Sequence, residues 1–340
     1  MRTPSIAPSG PYPARVLRYA VNRVIWTIPV LLLAVTLTFF LVRATGGDPF
    51  RHGPLVGLTA TGGWQKYGDY QPESIRENMR RRYGLDLPWY EQYGNYVVGV
   101  ATFSLGPSLS FRNRTVEEII AKQGPITLQL ALLALAWALV VGVGLGLASA
   151  LASRSVVAHA ERLLSTLAVA LPAFFIATIL IYAFAVRFGV LPTSGWEGWQ
   201  TKILPALTLG LVPMAYFARL TRAAVRETMT EDYVRAARAK GLRWRRILLH
   251  HVLRNSLVPV LSSFGPVLGA MVTTLFVVEF VFGIPGLARH YVSAATARDY
   301  PLVLGMTVVF TFAIVVANLL ADLALAALDP RYREARMRHA

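Results

Sequence analysis

Two carboxyl side chains stand at or inside runs of sequence otherwise free of charge. Glu279 closes one apolar run, and Asp322 lies near the end of the last one, with Asn318 one turn before it. Hydrocarbon penalises an ionised side chain by a few kcal/mol, so such residues are functional suspects. Asp322 could serve a proton relay or join helices near the headgroups, and Glu279 could carry a proton or sit at the interface. A relay needs a basic or histidine partner that neither run supplies, which favours the structural reading of both. The six histidines are scattered, and the adjacent pair His250-His251 points apart on a helix, so a shared metal is not expected. With no cysteine there is no disulfide, thiolate nucleophile or Cys-based metal site. HExxH, a serine elbow and the P-loop pattern GxxxxGK[ST] are all absent, so this chain has no ATP-hydrolysing motif and no cofactor is expected. Gly142-x-Gly144-x-Gly146 lacks dinucleotide spacing and lies inside an apolar run. Gly142 and Gly146, with Ala138 and Ala150 at the same spacing of four, instead form a small-residue stripe for close helix contact.

The most informative stretch is polar. Thr230 to Pro259 reads TEDYVRAARAKGLRWRRILLHHVLRNSLVP, and Arg219 to Arg254 holds ten Lys/Arg against Glu227, Glu231 and Asp232. This charge density stays in water, and the positive-inside rule puts it in the cytoplasm. A mere connection could be far shorter. Asp232 or Thr230 can cap a short helix, Ala236-Ala237 is a small pair, and Gly241 ends or bends the helix. A second helix follows over Trp244–Asn255, with Ile247, Leu248, Val252 and Leu253 on one side and Arg243, Arg246 and Arg254 elsewhere. Two readings compete: a helical pair held on anionic lipid by its arginines, or a knuckle that meets a protein partner. The small pair followed by glycine favours the protein.

The elements around this loop are membrane spans. The chain has 340 residues, is 55% hydrophobic and carries a net charge of +16. Its long charge-free runs indicate a polytopic membrane protein, whose basic balance suits lipid headgroups rather than nucleic acid. Residues 1–23 form a tail and a short interfacial helix bearing Arg15, Arg18 and Arg23, and 24–43 form a first span retained as a signal anchor. Residues 44–122 make an extracytoplasmic subdomain, with a helix over Ser74–Tyr83 stopped by Gly84. Span two lies within Gln123–Ser153, and Arg154–Arg162 is a short cytoplasmic turn. Span three, Leu163–Val186, is kinked at Pro172, and an outer loop with Trp196 and Trp199 follows. Span four is short, Ile203–Ala218. Span five covers Val258–Val278, Glu279–Asp299 lies outside or re-enters partway, and span six runs over Pro301–Leu328 before a basic tail. Six spans put both ends inside, with twenty Lys/Arg on inner segments against four in the two short outer loops.

Asp232-Tyr-Val-Arg-Ala-Ala-Arg-Ala-Lys-Gly241, then Leu242 and Arg254-Asn255, resembles the EAA loop of binding-protein-dependent ABC importer permeases. It is closest to the dipeptide/oligopeptide (and nickel) branch, whose motif reads YVRTARAKGL. The general pattern has Glu-Ala-Ala, where this chain has Arg235-Ala236-Ala237, a departure the peptide branch shares. Further stretches fit: Gly47-Asp48-Pro49, Tyr83 to Pro88 with Gln92-Tyr93, Thr127 to Leu130, Ile203 to Leu209, Arg219 to Arg222, Glu279 to Leu287, Ala297 to Pro301 and Ala327 to Arg331. Phe103 to Ser108 stands where the family has GDLGxS, without its acid.

The resemblance implies an all-α, six-span, type I importer permease (MetI-like) fold, with the insertion after helix one and a core over 123–330 that includes a coupling loop at 222–258. It implies a second permease, two ATPase subunits that bind the ATP, an extracytoplasmic solute-binding protein and a peptide substrate. It places the chain in a bacterial or archaeal cytoplasmic membrane with both termini cytoplasmic. The ATPase-coupling residues it implies are Asp232, Tyr233, Arg235, Ala236, Ala237, Lys240, Gly241 and Leu242. The alternatives are a stand-alone secondary transporter or channel, and a membrane scaffold without transport.

Overall fold

The computed structural model describes residues 12–44, 55–58, 64–66, 77, 81, 84, 86–111, 114–152 and 156–328. Helix α1, Tyr12–Ala44, enters as one rod, so the stretch read as a separate interfacial helix continues directly into the first span. It turns Val35 and Phe39 inward and leaves Trp26, Ile28, Leu33 and Leu41 exposed, as suits a span facing lipid. A short antiparallel ribbon, β1 (Leu55–Leu58) with β2 (Trp64–Lys66), precedes α2, Trp89–Thr102. Helix α2 lies against α1 through Tyr93, whose hydroxyl is 2.6 Å from Thr36 Oγ1 and whose ring meets Phe39 edge-on. The helix expected over Ser74–Tyr83 lies outside the described residues except for Glu77 and Arg81, which pair at a spacing of four. Gly84 has φ +63.

Helix α3, Val116–Leu151, starts at a capping box in which Thr115 and Glu118 satisfy each other's backbone N–H. Its 36 residues make about 54 Å of helix, well beyond a hydrocarbon core of roughly 30 Å. Helix α4 is Val156–Ala170, and α5, Ala173–Leu180, continues through a π-helical segment, Ile181–Arg187. The expected kink at Pro172 is a break of 118°. Proline has no N–H and disfavours helical geometry at the residue before it. Pro172 sits at ψ 146 and its carbonyl accepts from Phe175 and Ile176, so it opens a new helix. Among the described residues five helices are long and apolar enough to cross a membrane, or six when this bent pair counts as one span.

Helix α6, Gln200–Thr230, does not end at Ala218 as the charge pattern suggested. Arginine is a good helix former, so the end of apolarity is not the end of the helix. The rod carries Arg219, Arg222 and Arg226 onward to Thr230. After α7 (Asp232–Ala239), α8 (Trp244–Arg246) runs through a second π-helical segment, Ile247–Leu253, into α9, Arg254–Ser262. Helix α10 (Phe264–Val281) follows, then α11 (Leu287–Ala297) and α12 (Tyr300–Leu328). At 11 residues, or about 16 Å, α11 is too short to cross and joins two spans.

The main core lies between α3, α6 and α10, around Leu130, Leu204, Leu209, Phe217, Met271 and Phe282. The α3–α6 seam is its closest approach. A Cβ on Gly142 would lie 2.6 Å from Met214 O, and one on Gly146 would lie 2.8 Å from Thr221 Cβ. From the other side, a Cβ on Gly210 would lie 2.6 Å from Ala134 O, and the Trp137 indole crosses there to donate to Ala206 O. Small residues on both helices are what backbones at this distance need.

Candidate coupling site and its supports

The basic loop folds as a compact knuckle on the end of α6. One residue, Glu231 (φ −66, ψ 145), separates α6 from α7. Glu231 is the N-cap of α7, and no side chain bonds the cap; Thr230 Oγ1 turns back to Glu227 O instead. The expected cap at Thr230 or Asp232 is thus corrected: Asp232 stands in the first turn, exposed, where its charge suits the helix dipole.

The end of α7 has a clear physical cause. Gly241 N–H donates to Arg238 O and Leu242 N–H to Ala237 O, the paired bonds of a Schellman motif, with Gly241 at φ +73. Nothing lies within 4 Å of where its Cβ would be, so the glycine serves the left-handed turn and not a close contact within the chain. Leu242 then folds back on Ala237, the apolar contact that accompanies this motif.

Val234, Ala237, Ile247 and Val252 pack on Ala150 of α3 and Val225 of α6. This corrects the expectation that Ala236 and Ala237 form one contact face. They point apart: Ala236 is exposed, while Ala237 is buried, and Leu242 also packs inward. Asp232, Tyr233, Arg235, Ala236, Lys240 and Gly241 are left on the outside. Asn255 Nδ2 donates to the Tyr233 hydroxyl at 2.7 Å, and the Arg238 guanidinium lies 4.9 Å from the Trp244 ring, so both ends of α7 are tied to the following helix. On that helix Ile247 and Val252 are buried and Arg243, Arg246 and Arg254 exposed.

A buried knot supports the knuckle from the bundle side. The Glu161 carboxyl group on α4 is fully buried and paired with Arg222 Nη1 on α6. It also accepts from Ser149 Oγ of α3 at 3.2 Å and Ser165 Oγ at 3.1 Å, and Arg219 Nη1 donates to Ser165 O. Sequence reasoning placed Glu161 in a hydrated turn. The missed signal was that Glu161 is the one acid between Glu118 and Glu197, in a chain with two arginines at Arg219 and Arg222 to meet it.

At the opposite end two carboxyl groups lie at helix N-termini. Glu279, expected at the interface, is fully buried. It accepts from Thr127 Oγ1 at 2.6 Å and from Arg289 N–H, and Thr127 Oγ1 accepts from Leu287 N–H. Gly286 has no room for a Cβ, which would fall on the Glu279 carboxyl group. Asp299, also missed, accepts from Ser108 Oγ, Ser110 N–H and Leu302 N–H. Helix N-termini offer unpaired N–H groups and a positive field, so among the described residues each acid is satisfied without an ion pair. Between them His290 has Nδ1 2.8 Å from Gly286 O and Nε2 3.1 Å from Gln123 Nε2. The carbonyl fixes the proton on Nδ1, leaving Nε2 to accept. Burial, with Arg289 and Arg114 adding repulsion, holds its pKa below the ordinary histidine value. Asp322 is buried on α12, and the neighbouring Asn318 fills the space left by Gly265 of α10. Among the described residues no three His, Cys, Asp or Glu side chains gather as a metal would need.

Residues 142–334 match the family model described as "Binding-protein-dependent transport system inner membrane component". A dipeptide transport system permease protein of Bacillus subtilis (strain 168) is 33% identical, over 93% of this chain and 98% of its own length. Oligopeptide transport system permease proteins of Haemophilus influenzae (33%) and Escherichia coli K12 (32%) each cover 93% of this chain and 99% of their own. A solved structure described as an amino acid ABC transporter with histidines aligns over 62% of this chain and 94% of its own, at 17% identity and a TM-score of 0.46, too slight a likeness to argue from. On the family match and the full-length relatives, this chain belongs to the inner membrane components of binding-protein-dependent transport systems and is a permease subunit of an ABC importer.

Proposed function

We propose that this permease imports di- or oligopeptides and takes its energy from ATPase subunits docked on the α7 knuckle. The carrying observation is the division within that knuckle. Ala237, Val234, Ile247 and Val252 fasten it to α3 and α6, while Tyr233, Arg235, Ala236 and Lys240 are presented outward around a glycine turn. A knuckle fixed to two long helices is suited to receive a push, and Ala236 admits a close neighbour. The P-loop pattern is absent from the chain, so hydrolysis belongs to the partners. A second permease completes the pathway, and a solute-binding protein delivers substrate at the outer face over 44–122. The excess of Lys/Arg puts the knuckle and both termini in the cytoplasm. The peptide assignment draws on the relatives named for dipeptide and oligopeptide transport.

The test is ATP-dependent uptake of labelled peptide in vesicles that hold the full complex. Wild type takes up peptide, and Gly241→Glu loses both bound ATPase and uptake. Gradient-driven flux through the purified chain alone would overturn the reading. A single cysteine at position 240, on a chain with none, is labelled only from the inside.

A further inference from the structure

We infer that the Glu161–Arg222 pair makes α3, α4 and α6 one moving body, and that the joint of the transport cycle is the break at Leu171–Pro172. The inference rests on the reading of the knuckle as the ATPase dock. Four observations carry it. The Glu161 carboxyl group is wholly buried and bound from three elements: Ser149 on α3, Ser165 on its own helix and Arg222 on α6. Arg219 adds a second strand of the tie, to the Ser165 carbonyl. Arg222 lies on the same uninterrupted helix that ends one residue before α7, so a displacement of the knuckle is passed along α6 to the pair. Ten residues beyond Glu161 the chain leaves helical geometry at Leu171–Pro172 and turns by 118°.

Separating a buried ion pair strands a charge in low dielectric, which is the costly way for the bundle to move. The Leu171 N–H closes α4 on Leu167 O and the next ladder begins at Pro172 O, so rotation about the link between these two groups breaks nothing of that kind. The Phe175 and Ile176 N–H groups bond to Pro172 O, so the new helix is complete from its own first turn. The low-cost motion carries α4 with α6 as a unit and alters the angle to α5. Glu161 is thus a positioning residue: it touches no solute and acts through Arg222.

The experiment uses the complete complex with spin labels at paired cysteines on the cysteine-free chain. One pair, Ala160 on α4 with Glu227 on α6, spans the tie at exposed positions. The other, Leu164 with Ile179, spans the break, also at exposed positions. Between nucleotide-free and ATP-trapped states the first distance stays constant and the second shifts. A shift in the first, or none in the second, overturns the inference whatever any variant does. Glu161→Gln alone leaves a stranded arginine, so the variant to read is Glu161→Gln with Arg222→Gln. In it the first distance becomes state-dependent, and the ATP hydrolysed per labelled tripeptide imported rises about tenfold, within the usual range of coupling between distant sites. A wild-type ratio in the double variant overturns the positioning role. Wild-type complexes from which ATPases fail to co-purify would sink the docking reading, and this inference with it, before any distance is measured.

Discussion

The two ends of the bundle bury acids in opposite ways. At the end that holds α11, Glu279 and Asp299 each accept a backbone N–H from the first turn of the next helix, with the Thr127 hydroxyl of α3 and Ser108 and Ser110 before α3 completing their bonds and, among the described residues, no ion pair to either. At the knuckle end Glu161 is met by an arginine from another helix. An acid held by helix N-terminal N–H groups is a local fastening, which fixes how one element leaves another. An acid held by a guanidinium on a distant element transmits force between rods. The difference separates residues that define a joint from residues that define a moving body.

The largest effect should come from breaking a fastening. Glu279→Ala leaves the Arg289 N–H and the Thr127 hydroxyl without their acceptor, and each unsatisfied buried group costs about 1–3 kcal/mol. Thermal unfolding of the purified chain should fall sharply, with Glu279→Gln, which keeps one acceptor, closer to wild type. Equal losses would mean that shape matters there and hydrogen bonding does not. Next comes the seam that joins both ends. Gly146→Leu forces α3 from α6 where Thr221 already crowds, at about 1–3 kcal/mol of overpacking. It should lower stability and transport together, whereas a seam variant that lost only transport would shift the argument from packing to motion.

At the knuckle the effect is smaller and conformational. Gly241→Ala strains a left-handed turn by roughly 1–2 kcal/mol, with no clash to add to it. Gly241→Asn should fall between Ala and wild type in ATPase retention, because Asn tolerates that region. If Ala and Asn behave alike, the turn is not what the partner reads.

The smallest effect is at His290, between the two fastenings. Its pKa is depressed in the folded chain, so the unfolded chain binds the extra proton first as pH falls. The stability contributed by neutral His290 is full above the ordinary pKa of about 6.5 and is lost as pH drops below it. Melting temperature should therefore decline on acidification through that window, and His290→Asn should flatten the decline. The same slope in both proteins would remove His290 from the account.

The spans, the knuckle and the glycine turn were legible because each has a local signature: charge-free length, a change of charge density, a glycine at a helix end. The helix beyond Ala218 was not, because the residues that end a span need not end a helix. The break at Pro172 reads in sequence the same as a kink, since both follow from one missing N–H, and its angle is decided by what α5 packs against. Ala236 and Ala237 are adjacent letters that a helix points about 100° apart, so their separation into outer and inner faces required knowing which side of α7 meets α6. Glu161 and Asp299 escaped notice because their partners lie 61 and 191 residues away.

The length of α6 has a mechanical consequence. Its 31 residues make a shaft of about 46 Å, clasped to α3 along its middle by the glycine seam and bearing the knuckle at one tip. Tilting such a shaft by roughly 5° about an end would carry the other tip about 4 Å at 1.5 Å of rise per residue. With α3 and α4 carried along by the seam and the Glu161–Arg222 pair, a pivot of the whole body between the two ends of the shaft divides that travel between the tips and moves them in opposite senses. A small stroke at the knuckle thus becomes a counter-stroke at Gln200.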